Sequence, residues 1–180
     1  LTDQHIISAV LSGETEAFRE LMKRYESRVA ATVIGMLGKC QEAEDVGQET
    51  FIRFYNNLAN FRGEARVATY LTRIAINLSI NELKRRKRRS LFFWSESDTD
   101  LEIPDQNPVK DYTGEKELVQ QAIQKLEPNF RSVVVLRLID GLSTEETASI
   151  LNVPLGTVLS RLARAQKKLK KILAPYMEGR

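Results

Sequence analysis

Cations dominate the side chains with which this chain could do chemistry. Lys84 to Arg89 form an unbroken run of six, and a second set, Arg161, Arg164, Lys167, Lys168, Lys170 and Lys171, fills the interval from Pro154 to Ala174 without a single acid. Clustered lysine and arginine is the electrostatic footprint of phosphate binding, so the chemistry on offer is recognition of a polyanion. Groups for breaking bonds are scarce. His5 is the sole histidine and Cys40 the sole cysteine, and the sequence holds no Gly-rich phosphate loop and no Ser/His/Asp set. An enzyme is therefore not expected, nor a metal site or cofactor. The carboxylates read as helix surface and caps.

Charge is segregated along the 180 residues, whose total is only +3. Residues 1–94 carry a net +4, residues 95–127 a net −6 and residues 128–180 a net +5. Two basic modules joined by an acidic middle suit a protein that touches a polyanion twice. A single cysteine excludes a disulfide framework and fits a reducing compartment. No stretch has the roughly 18 apolar residues of a membrane span, and no basic-then-apolar leader opens the sequence, so neither span nor signal peptide is expected. The start at Leu1 rather than Met suggests that a few native residues precede it.

The elements that must position these cations read as helices, because apolar residues recur at three and four. Ile6, Ile7, Val10 and Leu11 predict a short helix stopped at Gly13. Phe18, Leu21, Met22, Tyr25, Val29, Val33 and Met36 predict a long one ended by a left-handed cap at Gly38. A third is expected over about 42–58, with Val46, Phe51, Phe54, Tyr55 and Leu58 inward. A loop, NFRGEA at 60–65, leads to a fourth helix over about 66–89 that carries the cationic run. The aromatic stretch Leu91 to Trp94 is expected either to pin the following segment onto this first domain or to offer a docking surface.

Residues 95–114, SESDTDLEIPDQNPVKDYTG, lose the periodicity and read as a flexible acidic linker. Helical pattern resumes at Glu115, is punctuated by Pro128 and runs to Ile139 before Gly141. Ser143 and Glu146 then form a capping box that opens a helix over 144–151. A three-residue turn, Asn152 to Pro154, precedes a second amphipathic helix, the proportions of a helix-turn-helix. Leu155, Val158, Leu162, Ala165, Leu169 and Ile172 are expected to form its buried face. Ser160, Arg161, Arg164, Lys167, Lys168 and Lys171 lie away from it, suited to the major groove and its phosphates.

The order of these motifs resembles a bacterial extracytoplasmic-function (ECF, group 4) sigma factor of the sigma-70 family. EAEDVGQETFIRFY at 42–55 is similar to sigma region 2.2, FRGEARVATYLTRIAINLSINELKRR at 61–86 to regions 2.3 and 2.4, and VPLGTVLSRLARA at 153–165 to the recognition helix of region 4.2. The resemblance implies an all-α fold: a four-helix region 2 domain at 1–94, a linker at 95–114 and a region 4 helix-turn-helix domain at 115–180. It implies a promoter-specificity subunit of bacterial RNA polymerase, serving a stress or envelope-signal regulon. A stand-alone helix-turn-helix regulator is the alternative, disfavoured by the separate basic surface of the first half.

By the same resemblance, Asp45, Gln48 and Glu49, with Arg53 beside them, dock on the β′ coiled coil of the polymerase; taken alone they would be ordinary surface residues. Asn60, Phe61, Arg62, Gly63 and Glu64 form the pocket for a flipped base of the −10 element, and Arg73, Asn77, Asn81, Lys84, Arg85, Lys87 and Arg88 contact −10 DNA. Thr157, Ser160, Arg161, Arg164 and Lys168 contact the −35 element. The implied partners are core polymerase through the β′ coiled coil and β flap, promoter DNA and an anti-sigma factor, with no small-molecule substrate and no membrane insertion. The implied location is the bacterial cytoplasm, with tethering by a membrane-bound anti-sigma. Gly47, Val67 and Asn81 depart from the family pattern. So does Leu159, which stands where Arg or Lys is common.

Overall fold

A computed structural model describes residues 1–63, 65–96 and 114–177, without the side chains of 93–96. Every regular element among the described residues is helical. The α-helices are α1 (Asp3–Leu11), α2 (Phe18–Leu37), α3 (Gln41–Asn56), α4 (Val67–Glu96), α5 (Glu115–Gln124), α6 (Pro128–Val134), α7 (Thr144–Leu151) and α8 (Leu155–Met177). A π-helical turn, Val135–Ile139, extends α6.

Local chemistry sets the boundaries. The Thr2 hydroxyl accepts from the His5 amide to open α1. Gly38 closes α2 at φ 80°, with its amide donating to the Ile34 carbonyl. Pro128 opens α6 where no amide donor is required. The capping box forms in full, Ser143 N to Glu146 Oε2 at 2.8 Å and Glu146 N to Ser143 Oγ at 3.0 Å. Asn152 turns the chain into α8 from the left-handed region, at φ 52°.

Helices α2, α3 and α4 pack on one another with α1 across one end. Leu21, Met36, Phe54 and Ile76 at their centre are fully buried. Phe54 stands among four other rings, directly touching Phe18, Phe61 and Tyr70 while Tyr55 packs edge-on against Phe18. Helices α5 to α8 form the second unit, with α6 against α8 and its π turn against α2 and α7.

The two units share a seam at the C-terminal end of α2. The last carbonyls of a helix lack intrahelical partners, and at a buried end they must be satisfied from elsewhere. Side chains of the second unit do this: Gln124 Nε2 donates to Gly35 O (2.7 Å) and Arg131 Nη1 to Met36 O (2.7 Å), while Gln120 Nε2 adds a bond (2.6 Å) to Ile34 O, which the Gly38 amide already serves. Arg86 of α4 takes the fourth, Leu37 O, at 3.2 Å. Gly35 permits the approach, since a Cβ there would stand 2.9 Å from Val135 Cγ2. Next to it, Thr32 Oγ1 lies 2.9 and 3.0 Å from the two Asp140 carboxylate oxygens, and Arg28 Nη2 donates to the Asp140 carbonyl.

Some expectations need correction. Helix α3 stops at Asn56 and Tyr55 is half exposed, because the chain turns into a short 3₁₀ segment at Leu58–Asn60 that buries Leu58 instead. Helix α4 continues to Glu96, so Leu91 to Trp94 extend the helix. Leu91 and Phe92 are 60% and 64% exposed, and the side chains of Phe93 and Trp94 lie outside the described residues. Met22 and Leu155, both expected inward, are 39% and 42% exposed. Most of the acidic linker, 97–113, lies outside the described residues.

Candidate nucleic-acid interface

Helix α4 sorts its polar residues by angle. At 100° per residue, Arg73, Asn77, Asn81, Lys84 and Arg88 fall within an arc of about 80°, and all five are exposed. Lys87 flanks that arc and is also exposed. The remaining cations of the run turn toward one buried carboxylate. Glu82, 8% exposed, accepts from Arg85 at 2.7 Å and Arg89 at 3.4 Å, and lies 3.6 Å from Arg86. Arg86 also meets Glu42 at 3.5 Å. Glu42 is held below the usual carboxylate range by its own backbone amide, then by the Cys40 thiol and the Arg86 guanidinium.

The cationic run thus divides in two. Lys84, Lys87 and Arg88 have no ion pair among the described residues, whereas Arg85, expected with them, is committed to Glu82. The division follows from position, since Arg85, Arg86 and Arg89 stand on the Glu82 side of the helix.

The loop before α4 is anchored through one residue. Phe61 packs edge-on against Phe54 (5.7 Å) and Tyr70 (5.2 Å), so it is half-buried and supports the loop, while Asn60 and Arg62 point outward. Gly63 turns the chain at φ +71°. Glu64 lies outside the described residues. A cavity of about 550 Å³ separates this end of α4 from α7, and Arg73 Nη2 crosses it to donate to Ser149 Oγ at 3.2 Å.

Helix α8 buries Val158 and Ala165 against α6 and exposes Ser160, Arg164 and Lys167 on the opposite side. Thr157 and Arg161 sit at the margin, half-buried, and Ser160 Oγ donates to Thr157 O at 3.1 Å. Lys168 is drawn elsewhere. Its ammonium lies 2.6 Å from Glu127 Oε1 and 4.8 Å from the Phe130 ring centroid, closing the second unit on itself. The Glu127 carboxyl is held below its ordinary range by that lysine.

On α3, Asp45 and Gln48 are exposed on one face. Asp45 accepts from Gln41 (3.2 Å), and Glu49 is already paired with Arg53 (2.7 Å). Beside them Gly47 opens an apolar cleft of about 650 Å³ toward Met22, Val29, Val33 and Phe51. Sequence reasoning missed the seam residues Gln120, Gln124, Arg131 and Asp140. Their one signal was Arg131, a cation ahead of the apolar run Val133 to Leu136.

The comparisons with known proteins agree with this layout. Residues 21–89 match the family model described as Sigma-70 region 2, and residues 116–169 match that described as Sigma-70, region 4. The RNA polymerase sigma-H factor of Pseudomonas aeruginosa is 34% identical, covering 97% of this chain and 95% of its own. The ECF RNA polymerase sigma factor SigW of Bacillus subtilis is also 34% identical over 93% of this chain and 94% of its own. The ECF RNA polymerase sigma-E factor of Escherichia coli is 35% identical over 98% and 97%. Among solved structures, the sigma factor RpoE of Bartonella quintana in complex with the anti-sigma factor NepR superposes with a TM-score of 0.70 at 22% identity, covering 87% of this chain and 96% of that one. CnrH in complex with the cytosolic domain of CnrY gives 0.68 at 24%, covering 96% and 97%. No described helix is long and apolar enough to cross a membrane. With two exposed basic faces on two helical units, matches to both sigma-70 regions, and relatives 34% identical over nearly its whole length, this chain belongs to the ECF group of the sigma-70 family, RNA polymerase specificity subunits that initiate transcription and are not themselves enzymes.

Proposed function

We propose that residues 1–94 bind core polymerase and open the −10 element, that residues 115–180 read the −35 element, and that residues 95–114 link them. The observation that carries this reading is the outward stripe Arg73, Asn77, Asn81, Lys84 and Arg88 on α4. Two short amides among three cations suit hydrogen bonding to bases or sugars between phosphate contacts. Lys84, Lys87 and Arg88 supply salt-dependent affinity for the neighbouring phosphates. Asn60, Arg62 and Gly63 flank the base pocket, with Phe61 as its floor. Asp45 and Gln48 meet the β′ coiled coil, and Glu49 with Arg53 joins them as a pair. The second unit also meets the β flap.

Both DNA faces cannot be used in the packed arrangement. The −35 and −10 elements stand about 25 base pairs apart, roughly 85 Å of duplex at 3.4 Å per pair. Arg73, a −10 contact, instead touches Ser149 of the helix-turn-helix itself. Promoter binding therefore parts the seam at α2, and the linker spans the gap. The relatives solved with NepR and with the cytosolic domain of CnrY support a protein inhibitor of the anti-sigma kind for this chain too. Such a partner would hold a cytoplasmic sigma factor away from polymerase until an envelope or stress signal releases it.

A base-pair substitution panel across the −35 element tests the residue assignments. With holoenzyme, Arg161→Ala and Arg164→Ala should each cost about 1–3 kcal/mol at particular positions and relax preference there. A loss equal at every sequence would make both arginines phosphate contacts. No loss at all would remove α8 from the interface.

A further inference from the structure

The outward side of α8 is not uniformly basic. At 100° per residue, Gly156, Ser160, Ala163 and Lys167 centre the face opposite buried Val158 and Ala165. Arg164 borders it on one side. On the other runs an apolar strip, Leu155, Leu159 and Ala163, at successive four-residue steps, with Leu155 42% and Leu159 51% exposed. Among the described residues no side chain covers Leu159, although α8 is otherwise cationic and carries no acid from Pro154 to Ala174.

The charge of the helix selects a polyanion, and the apolar strip then has one natural counterpart in a duplex major groove. Thymine alone presents a C5-methyl group there, and apolar side chains contact it. Leucine makes no hydrogen bond to guanine O6 or N7, so Leu159 cannot read a G·C pair as arginine or lysine would.

We propose that Leu159, with Leu155 and Ala163 beside it, is a specificity-determining residue that packs on a thymine methyl within the −35 element, while Arg164 on the other border contacts base or phosphate. The inference rests on α8 being the −35 reader. It assigns this chain a −35 element with thymine at the base pair under Leu159.

Deoxyuridine isolates the methyl, because it pairs as thymine does and lacks only that group. Holoenzyme carrying the full chain is titrated with promoter fragments in which each −35 thymine, on either strand, is replaced singly by deoxyuridine. Binding should weaken about fourfold at one or two positions, the equivalent of one buried methyl at ~0.8 kcal/mol. In Leu159→Ala holoenzyme the same replacements should change nothing. Leu159 is exposed, so this variant keeps its fold. A −35 element without thymine, an absence of any uridine effect, or an effect undiminished in Leu159→Ala would each overturn the proposal. Arg164→Ala assayed in parallel separates two failures. If it alters −35 preference while uridine is silent, α8 is the reader and the Leu159 assignment alone is wrong. If neither change matters, the α8 assignment falls with it.

Discussion

Phe54→Ala will lower the free energy of unfolding by about 3–5 kcal/mol, the range for emptying a large buried aromatic site. Phe54 is fully buried, and its ring centroid lies 5.9 Å from Phe18, 5.7 Å from Phe61 and 5.7 Å from Tyr70. Those contacts join α2, α3, the loop at 60–63 and the first turn of α4, so their loss removes both transfer energy and aromatic pairing. The consequence extends to function, because Phe61 holds the loop assigned to the −10 base. Urea titration should show a lower midpoint with a similar slope. At temperatures where the variant remains folded, transcription from duplex promoters should fall further than from templates with a pre-opened −10 bubble. Phe54→Leu should recover most of the stability and only part of the duplex activity, since it refills the volume without the edge-on ring contact.

The seam supplies the second large effect. Arg131 is 8% exposed and pairs with no carboxylate among the described residues. It donates to Met36 O (2.7 Å), Leu126 O (2.9 Å), Gln124 O and Gln124 Oε1. Burial and the nearby Arg86 lower its pKa to about 10, which leaves it charged at neutral pH. Its position suits a cation, because the negative ends of α2 and α5 converge on it. Arg131→Ala leaves three backbone carbonyls without that donor, at a cost of about 3–5 kcal/mol that splits between unfolding of the second unit and opening of the seam. Small-angle scattering should show a larger radius of gyration for this variant where it remains folded.

Asp140 pulls the seam the other way. Burial raises its carboxyl to about 6, against the opposing Thr32 hydrogen bond and the Arg28 charge. A raised value means that the closed state binds the proton more tightly. Its contribution to closure is complete below the ordinary value of 3.8 and is lost as pH rises through about 6. At pH 7.5 the ionised carboxylate disfavours the seam by about 2–3 kcal/mol. Asp140→Asn should make the chain more compact and more stable at pH 7.5, and the two proteins should converge below about pH 4. An Asn variant that opens the chain at neutral pH would contradict this account.

The helices and their order were legible because each is locally consistent: apolar spacing marks the elements, and the capping box and Pro128 mark the starts of α7 and α6, while the ends of α3 and α4 carry no such signal and fall elsewhere than expected. The residues of the α4 stripe came from the family resemblance, and the structure places Arg73, Asn77 and Asn81 on one exposed side of the helix. What escaped was chemistry between distant segments. That Lys168 answers to Glu127 across 41 residues depends on where α6 lies against α8, whereas Arg85 and Glu82 stand three residues apart on α4, where the helical period alone could have paired them. The seam was hidden for the same reason. An acidic, aperiodic linker reads as a separator and carries no sign that Gln120, Gln124 and Arg131 satisfy the end of α2. Gly35 gave no sequence signal, because its need for close approach exists only once Val135 is packed against it.

The most direct measurement of the central claim is reconstituted transcription. The protein is mixed with bacterial core polymerase and a library of promoter fragments, and transcript starts are sequenced. A shared pair of −35 and −10 sequences should emerge upstream of the starts, absent with core enzyme alone, and Asn77→Ala should deplete starts at the −10 element. If no fragment is transcribed above core enzyme alone, the chain is not acting as a promoter-specificity subunit and the functional account is wrong.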